Sequence, residues 1–282
     1  MTTSFKTGKV ILAGAGPGDP ELLTVKAAGY LQIADIVLTD RLVSKQILAK
    51  FVQPEAEIIH VGKQCRRGVS TSQQTINELM VKHALMGKLV VRLKGGDVSV
   101  FSNILDELET LAANNIPYEI IPGVTAALGA AAFAGIPLTA RGYATSVRFL
   151  TYYKSEIVTD EYWKELANTN DTLVFYMSSE TLLNVVEKLI SNHIHEDKLL
   201  AIIEQATTPL QNVHITNIYD FQRKFEGRSF ISPSLIIIGK VVSLHQRFKW
   251  LENKNTEEYY FKPMTSEATH INHSENIYEY VS

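Results

Sequence analysis

Short apolar runs alternate with amphipathic stretches between Lys9 and Pro122. Four of the runs are KVILAG, ADIVLTD, EIIHVG and KLVVRLKGGD, and helix-like stretches such as ELLTVKAAGYLQ stand between them. The apolar positions of VILAG and LVVRL do not alternate with polar ones, which is typical of strands covered on both faces. The pattern therefore predicts α/β order and a mainly parallel sheet.

Residues at the ends of the helix-like stretches agree with this order. Asp19 is placed to cap a helix that has Pro20 at its first position. Ser70, Thr71 or Ser72 could cap the helix QQTINELMVKHALM, which Gly87 ends. The stretch GVTAALGAAAFAGIPLTARGYA is rich in Ala and Gly. We expect its helix to pack very closely on its neighbours or to leave room for a ligand beside the backbone.

A second series of strand candidates begins after about Ala144. It comprises SVRFLTYY, TLVFYM, KLLAIIEQAT, NVHITNI and SPSLIIIGKVVSL, separated by helices such as ETLLNVVEKLISN. Beyond Lys249 the composition becomes polar and resembles no packed unit. We predict an N-terminal α/β domain over 1–143, a C-terminal α/β domain over 144–249 and a polar tail over 250–282.

Composition narrows the class of protein. The chain has 282 residues, of which 45% are hydrophobic and 20% charged, as in a folded globular protein of one or two domains. Its formal net charge of −3 gives no basic footprint for nucleic acid. No apolar run approaches about 18 residues. We therefore expect a protein that binds no nucleic acid and does not span a membrane, and the single cysteine, Cys65, fits a reducing cytoplasm.

The residues that usually hold metals or attack substrates lack their usual spacing. Cys65 is the only cysteine, so the sequence has neither an internal disulfide nor a cysteine-rich metal site. The eight histidines form no H-E-x-x-H or similar motif, and we predict no metal. No G-x-S-x-G elbow and no Walker A lysine is present, so acyl and phosphoryl transfer lack their usual groups.

The first motif that bears on function is GAGPGDP, residues 14–20, which follows an apolar strand. Its glycines allow a tight turn and the close approach of a ligand to the backbone. A dinucleotide site would need G-x-G-x-x-G and an acidic residue about 20 positions on, where Asp40 would serve. The spacing here is G-x-G-x-G, and Pro17 stands where a phosphate-binding turn needs a free N–H. A nicotinamide site is therefore only the outside alternative.

A second motif, VRLKGGD, ends another buried strand. Ligands of open α/β sheets bind at such strand ends. Gly95 and Gly96 would let backbone groups touch a ligand while Asp97 accepts hydrogen bonds from it. The alternative is an ordinary turn in which Asp97 caps a helix.

TDRL and HVGKQCRRG each follow a predicted strand as well. Asp40 and Lys63 could meet above the sheet edge, where their mutual attraction would tune both pKa values, or form a surface salt bridge. Lys63, Arg66 and Arg67 suit a polyanionic ligand, and a solvated basic loop is the alternative.

Taken in order, GAGPGDPELLT, DRLVS, VGK, VVRLKGGD, IPGVTAAL, AGIPLT and LVFYM resemble the tetrapyrrole methylase family. The resemblance runs from about Gly8 to Leu244 and is specifically to members that methylate uroporphyrinogen III. It implies two α/β domains with S-adenosylmethionine in the cleft between them, a homodimer, and S-adenosylhomocysteine as a product. The implied reaction methylates two ring carbons to give precorrin-2, which leads toward sirohaem or cobalamin.

The family's motifs also imply roles for single residues. Asp40 matches the proposed proton acceptor of the family and Lys63 its proton donor. Because an electron-rich pyrrole carbon attacks the sulfonium methyl, catalysis is mostly alignment, and these two groups would handle protons on the macrocycle. The residues that match cofactor-binding positions are Pro17, Gly95, Gly96, Asp97, Val100, Thr125, Ala126, Met177 and Ala206. A substrate with eight carboxylates would need cations, for which the candidates are Arg41, Arg66, Arg67, Arg92, Arg141 and Arg148.

The chain departs from the family pattern where substrate contacts are expected. After GGD the family continues PFVFGRGGEE, whereas this chain has VSVFSNILDELE, so residues 103–105 replace an arginine and a glycine pair. Ala140 replaces the histidine of LTHR, and Tyr152 and Tyr153 replace the end of TGH. Two alternatives follow: a methyltransferase of the same family that takes a later precorrin, and a non-catalytic binder of cofactor or tetrapyrrole.

Overall fold

The computed structural model describes residues 7–64, 69–152, 158–254 and 256–262 of the chain. Strands in the first half are β1 (Lys9–Gly14), β2 (Ile36–Thr39), β3 (Glu57–His60), β4 (Lys63–Gln64), β5 (Val69–Ser70), β6 (Leu89–Lys94) and β7 (Tyr118–Ile121). Helices there are α1 (Val25–Leu31), α2 (Lys45–Phe51), α3 (Gln73–Leu85), α4 (Leu105–Ala113) and α5 (Ala126–Phe133). This is the α/β order that the apolar runs predict.

The first sheet has the order β3-β2-β6-β1-β7 and all its strand pairs are parallel. Its two faces alternate along each strand. On β1, Ile11 packs with Leu31 of α1, whereas Leu12 packs with Met80 of α3 on the opposite face. The prediction of a mainly parallel sheet buried on both faces is confirmed for this half. The loops after β1, β2 and β6 therefore leave the sheet at one edge.

The second half contains a mixed sheet of order β11-β10-β12-β9-β8. Its strands are β8 (Val147–Thr151), β9 (Thr172–Tyr176), β10 (Leu199–Glu204), β11 (Asn212–Asn217) and β12 (Ser234–Gly239). Its helices are α6 (Asp160–Asn168), α7 (Leu182–Ser191), α8 (Phe221–Phe225) and α9 (His245–Phe248), and short 3-10 helices cover Pro20–Leu22, Ile218–Asp220 and Lys240–Leu244. Strands β8 and β9 pair in parallel, and the other pairs are antiparallel.

Helix α5 packs against the second sheet, although the predicted boundary at 143/144 puts it in the first domain. Ala127 shares a core with Val174 of β9 and Ile237 of β12. A Cβ on Gly129 would lie only 2.5 Å from Cγ of Pro17. The small side chains that the sequence shows here thus place α5 tightly between the second sheet and the first glycine turn.

Two of the expected helix boundaries carry the caps that the sequence suggests. Asp19 accepts a hydrogen bond of 2.9 Å from the backbone N–H of Glu21 and begins a 3-10 helix rather than an α-helix. Ser72 caps α3 through the N–H of Thr75, at 3.0 Å. Among the described residues, none of the helices has the length and apolarity that a membrane crossing requires.

The polar segment after Lys249 is packed where the structure describes it, in contrast to the tail that composition suggests. We call residues 250–254 and 256–262 the C-terminal strap. The side chain of Asn253 bonds both the N–H and the carbonyl of Val213 on the edge strand β11, at 2.8 and 2.9 Å. Because an edge strand offers unpaired backbone groups, a polar side chain can dock there.

Candidate functional site

Two glycine turns meet at the carboxyl edge of the first sheet. The N–H groups of Gly16 and Gly96 each donate to the other residue's carbonyl, at 3.1 and 2.8 Å. Gly96 has a φ of +71°, which side chains rarely allow, and a Cβ there would lie 3.9 Å from the nearest non-adjacent atom, the nitrogen of Ala126. A ligand can therefore approach the backbone closely at this point.

Asp97 fixes the loops around these turns. Its Oδ1 accepts bonds from the N–H and hydroxyl of Ser99 at 2.8 and 2.5 Å, and its Oδ2 accepts one of 2.9 Å from the N–H of Gly123. Burial alone would raise the pKa of Asp97, but these bonds and one from the N–H of Val100 outweigh it and hold the pKa below its usual value. Asp97 is no helix cap, since α4 begins only at Leu105.

The second sheet contributes two turns with unusual backbone. Met177, directly after β9, has a φ of 53° and is 56% exposed. Ala206 lies between Gln205 and Thr207, which have φ values of 49° and 65°. Left-handed conformations of residues other than glycine concentrate at functional sites. Both strand ends are therefore candidates for ligand contact.

Hydrogen bonds join these turns to the first half of the chain. The hydroxyl of Thr207 accepts a bond of 3.1 Å from the N–H of Asp19. The hydroxyl of Tyr176, at the end of β9, lies 2.7 Å from that of Thr125 and accepts a bond of 3.0 Å from the N–H of Ala127. Burial raises the pKa of Tyr176, so its proton is retained. These bonds thus fix the turns of the two halves against each other, and we call the region that the turns border the cleft.

The next predicted residue, Asp40, follows β2 at the same edge of the first sheet. Its Oδ1 lies 2.6 Å from Nη2 of Arg92, and its side chain is 27% exposed. The N–H of Val61 bonds the carbonyl of Thr39, at 2.9 Å, so the chain that continues to Lys63 leaves the sheet beside Asp40. The backbone of Lys63 begins β4, and its side chain lies outside the described residues.

A family model described as Tetrapyrrole (Corrin/Porphyrin) Methylases matches residues 9–222. The chain belongs to this family. It is 42% identical over 248 residues to the uroporphyrinogen-III C-methyltransferase of Bacillus subtilis, a match that covers 88% of this chain and 96% of that protein. It is also 41% identical over 253 residues to the siroheme synthase of Vesicomyosocius okutanii, covering 90% of this chain and 54% of that protein. The chain thus spans about half the length of the siroheme synthases that it matches.

The fold is also similar to that of a solved structure, uroporphyrin-III C-methyltransferase from Thermus thermophilus complexed with S-adenosylhomocysteine. The TM-score is 0.69 at 33% sequence identity, and the match covers 83% of this chain and 93% of that one. The predicted α/β fold of the tetrapyrrole methylases is confirmed.

All the residues that match the family's cofactor-binding positions lie around the cleft. Besides those described above, Pro17 packs against α5, and Gly95 lies beneath the loop after β2, where a Cβ would meet Cβ of Leu42 at 2.8 Å. Val100, Ala126 and Ala206 pack against the core between α5 and the second sheet. The cofactor roles of these residues stay predictions, and the structure brings the residues together.

Arg92 does not reach the cleft as a substrate-binding arginine would. It is 3% exposed. Its Nε donates to Oε1 of Glu107 at 3.1 Å, and its Nη1 donates to the carbonyls of Leu38 and Leu93 at 3.3 and 3.2 Å. Because β6 is covered on both faces, the side chain stays inside the protein. We therefore correct its assignment from a substrate contact to a partner of Asp40.

The other arginine candidates differ in their surroundings. Arg148 forms ion pairs of 2.5 Å with Asp171 and with Glu165, and these partners raise its pKa. Arg41 donates from Nη1 to the carbonyl of Phe261 in the strap, at 3.3 Å. The remaining candidates are Arg141, which is exposed, and Arg66 and Arg67, which lie outside the described residues.

The segment that departs from the family pattern lines the cleft with an aromatic group that the sequence analysis missed. The ring centroid of Phe101 lies 5.0 Å from that of Tyr176, and the ring centroid of Phe149 lies 5.8 Å from it. Asn103, which stands at the family's arginine position, has a φ of 51° and donates to Asp106 at 2.7 Å. Asparagine tolerates this conformation better than most residues. In the sequence, the aromatic residues of VSVF and LVFYM could have indicated this group.

Proposed function

We propose that this chain is an S-adenosylmethionine-dependent methyltransferase that methylates two ring carbons of uroporphyrinogen III to give precorrin-2. The observation that carries the proposal is the convergence of the matched residues from both halves on one cleft, beside Asp40. The name of the Bacillus subtilis relative, which the chain matches over 96% of its length, supports the choice of substrate. The alternative is a methyltransferase of the same family that takes a later precorrin, and the assay described below distinguishes the two substrates.

The residues that border the cleft are of the kinds that S-adenosylmethionine would need. The open backbone at Gly96 and the small side chains of Ala126 and Ala206 leave space for a ligand against the chain. The exposed Met177 adds an apolar surface. The complex of the Thermus thermophilus relative with S-adenosylhomocysteine supports this cofactor. When bound, the cofactor supplies an activated methyl group.

The protein's part in the reaction is alignment and proton handling. A rigid cleft that holds the pyrrole carbon in line with the methyl group lowers the entropic barrier to transfer. Asp40 would accept a proton from the macrocycle, since its carboxylate is fixed by Arg92 and remains partly exposed. Lys63, from the neighbouring strand end, would donate one.

The substrate's carboxylates need cations around the cleft. Arg41, Arg66, Arg67 and Arg141 stay the candidates for this task, and Arg148 would have to exchange its present partners. We also propose that the protein is a homodimer, that it is cytoplasmic and that its product supplies the synthesis of sirohaem or cobalamin.

An anaerobic assay with labelled S-adenosylmethionine tests the proposal. Uroporphyrinogen III should gain two methyl groups, and a later precorrin offered in parallel should gain none. Asp40→Asn should reduce kcat by about 100-fold or more, because general base catalysis contributes about that factor, while calorimetry shows unchanged binding of S-adenosylhomocysteine. Tight binding of S-adenosylhomocysteine without methylation of uroporphyrinogen III would refute the proposed substrate.

A further inference from the structure

Four charged side chains form a continuous network beneath the loop that carries Asp40. Glu107 of α4 is fully buried and has one cation on each oxygen. Its Oε1 accepts from Nε of Arg92 at 3.1 Å, and its Oε2 accepts from Nζ of Lys94 at 2.8 Å. Arg92 continues the network to Asp40 at 2.6 Å. The network thus runs from the interior of the first sheet to the wall of the cleft.

Burial differs sharply along this network. The side chains of Glu107, Arg92 and Lys94 are 0%, 3% and 5% exposed, whereas that of Asp40 is 27% exposed. Buried ion pairs of this kind often stabilise a fold no better than apolar residues of similar size would. A contribution to stability therefore does not by itself explain why three charged side chains are buried here. The one member that reaches the cleft is the group to which we assign a proton.

The planar guanidinium of Arg92 explains how the interior acts on Asp40. Glu107 fixes Nε, and the carbonyls of Leu38 and Leu93 fix Nη1. Two fixed nitrogens define the plane of the group, so the direction of the third, Nη2, is fixed as well. Nη2 is the nitrogen that meets Asp40.

We infer that Glu107 is a positioning residue, which orients the carboxylate of Asp40 through Arg92. Lys94 holds the second oxygen of Glu107 and keeps that carboxylate from rotating away. Burial lowers the pKa of Lys94, and the attraction of Glu107 offsets part of this effect. The inference rests on the proposed function of Asp40.

The decisive variant is Glu107→Gln, which keeps the size of the side chain but must turn an N–H₂ group toward one of the two cations. We expect kcat to fall about tenfold to 100-fold, since displacements near 1 Å have effects of that order. The KM for uroporphyrinogen III and the Kd for S-adenosylhomocysteine should stay within about twofold, because no binding group is removed. Glu109→Gln, on the exposed face of the same helix, is the matched control and should leave kcat unchanged.

A double-variant cycle separates positioning from a merely structural role. In the Asp40→Asn background, Glu107→Gln should reduce kcat no further, because its effect passes through Asp40. A reduction by the same factor in both backgrounds, or an unchanged kcat in Glu107→Gln alone, overturns the inference. If Glu107→Gln does not fold, Lys94→Met takes its place. This variant frees Oε2 of Glu107, so that the carboxylate can rotate and Arg92 can move with it. Its kcat should fall by a smaller factor, which should again disappear in the Asp40→Asn background.

A measurement without turnover keeps this inference distinct from the proposed function. In a crystal structure of Glu107→Gln, or of Lys94→Met in its place, we expect Nη2 of Arg92 to shift away from Asp40. An unchanged contact of 2.6 Å overturns the inference whichever substrate the enzyme uses. A wild-type protein that leaves uroporphyrinogen III unmethylated refutes only the proposed substrate.

Discussion

Two sets of contacts hold the loop after β2. On its inner side the loop forms an ion pair with a buried arginine, and on its outer side it contacts the C-terminal strap. Inside, Arg92 meets Asp40 at 2.6 Å and is itself 3% exposed. Outside, the hydroxyl of Tyr260 lies 2.7 Å from Oγ of Ser44. The inner contact joins two ions where little water screens them, so it is the stronger of the two. The outer one is a neutral hydrogen bond, worth about 1 kcal/mol.

The two sides also differ in how they are anchored. The inner partners belong to β6 and α4, whose buried apolar side chains are part of the core of the first half. The strap reaches the loop from far along the chain, held by Gln205, whose side chain bonds the carbonyl of Glu258 at 2.9 Å and the N–H of Tyr260 at 2.6 Å. Segments with few core contacts open locally without global unfolding. We therefore expect the inner side to open only with global unfolding and the strap to detach as a unit.

The largest expected effect comes from removing the inner cation. Arg92→Leu removes one of the two cations that pair with Glu107 and also the guanidinium that pairs with Asp40. Breaking a buried pair in this way lowers the free energy of unfolding by about 3 to 5 kcal/mol. Arg148→Leu is the matched control, because its ion pairs are 30% exposed on the arginine side and should contribute about 1 kcal/mol or less. Urea denaturation measures both. Equal losses in the two variants would remove the distinction between the inner network and a surface pair.

The strap should respond differently to the loss of a buried side chain. Phe261 is 3% exposed. Truncation of a buried Phe costs about 3 to 5 kcal/mol, but here only the docking of the strap is lost. Phe261→Ala should therefore increase proteolysis within 256–262 and lower the free energy of global unfolding by less than Arg92→Leu does. Tyr259→Ala, at a side chain 45% exposed, is the control. A global loss as large as that of Arg92→Leu would show that the strap belongs to the core.

The sequence predicts the inner side of this comparison better than the outer side. Apolar runs locate the strands, and the motifs locate Asp40 and the glycine turns, because parallel strands end at one edge. The arginine within LVVRLK was predicted to bind substrate, and its buried partner could not be identified from the sequence, since Glu107 reaches it only after α4 folds back on the sheet.

The strap could not be predicted for a different reason. Its contacts are made largely by polar side chains and backbone groups, such as Asn253 on the edge of β11, so its composition resembles that of a solvated tail. Phe261 is buried, and its carbonyl accepts a bond from Arg41, 220 positions earlier in the chain. Periodicity carries no information about such a contact.

Raising the pH into the alkaline range should stabilise the inner side and weaken the docking of the strap. Burial lowers the pKa of Lys94 below its ordinary 10.5, an effect that Glu107 partly offsets. The unfolded chain therefore binds more protons between the lowered pKa and 10.5, and the free energy of unfolding rises with pH there. Burial raises the pKa of Tyr260 above its ordinary 10.0, against a smaller opposing effect of the bond to Ser44. Its contribution is complete below 10.0 and is lost as pH rises through the raised value.

The smallest expected effect is therefore selective release of the strap above its tyrosine's ordinary pKa of 10.0. Limited proteolysis from about pH 9 to 11, with a protease active in that range, should cut the wild-type strap increasingly while the sheets stay intact. Tyr260→Phe loses about 1 kcal/mol of docking at neutral pH, because the bond to Ser44 is gone, but its cleavage should no longer rise with pH. Cleavage of the variant that rises as steeply as that of the wild type would mean that Tyr260 does not govern release. Another group would then have to account for the rise in cleavage with pH.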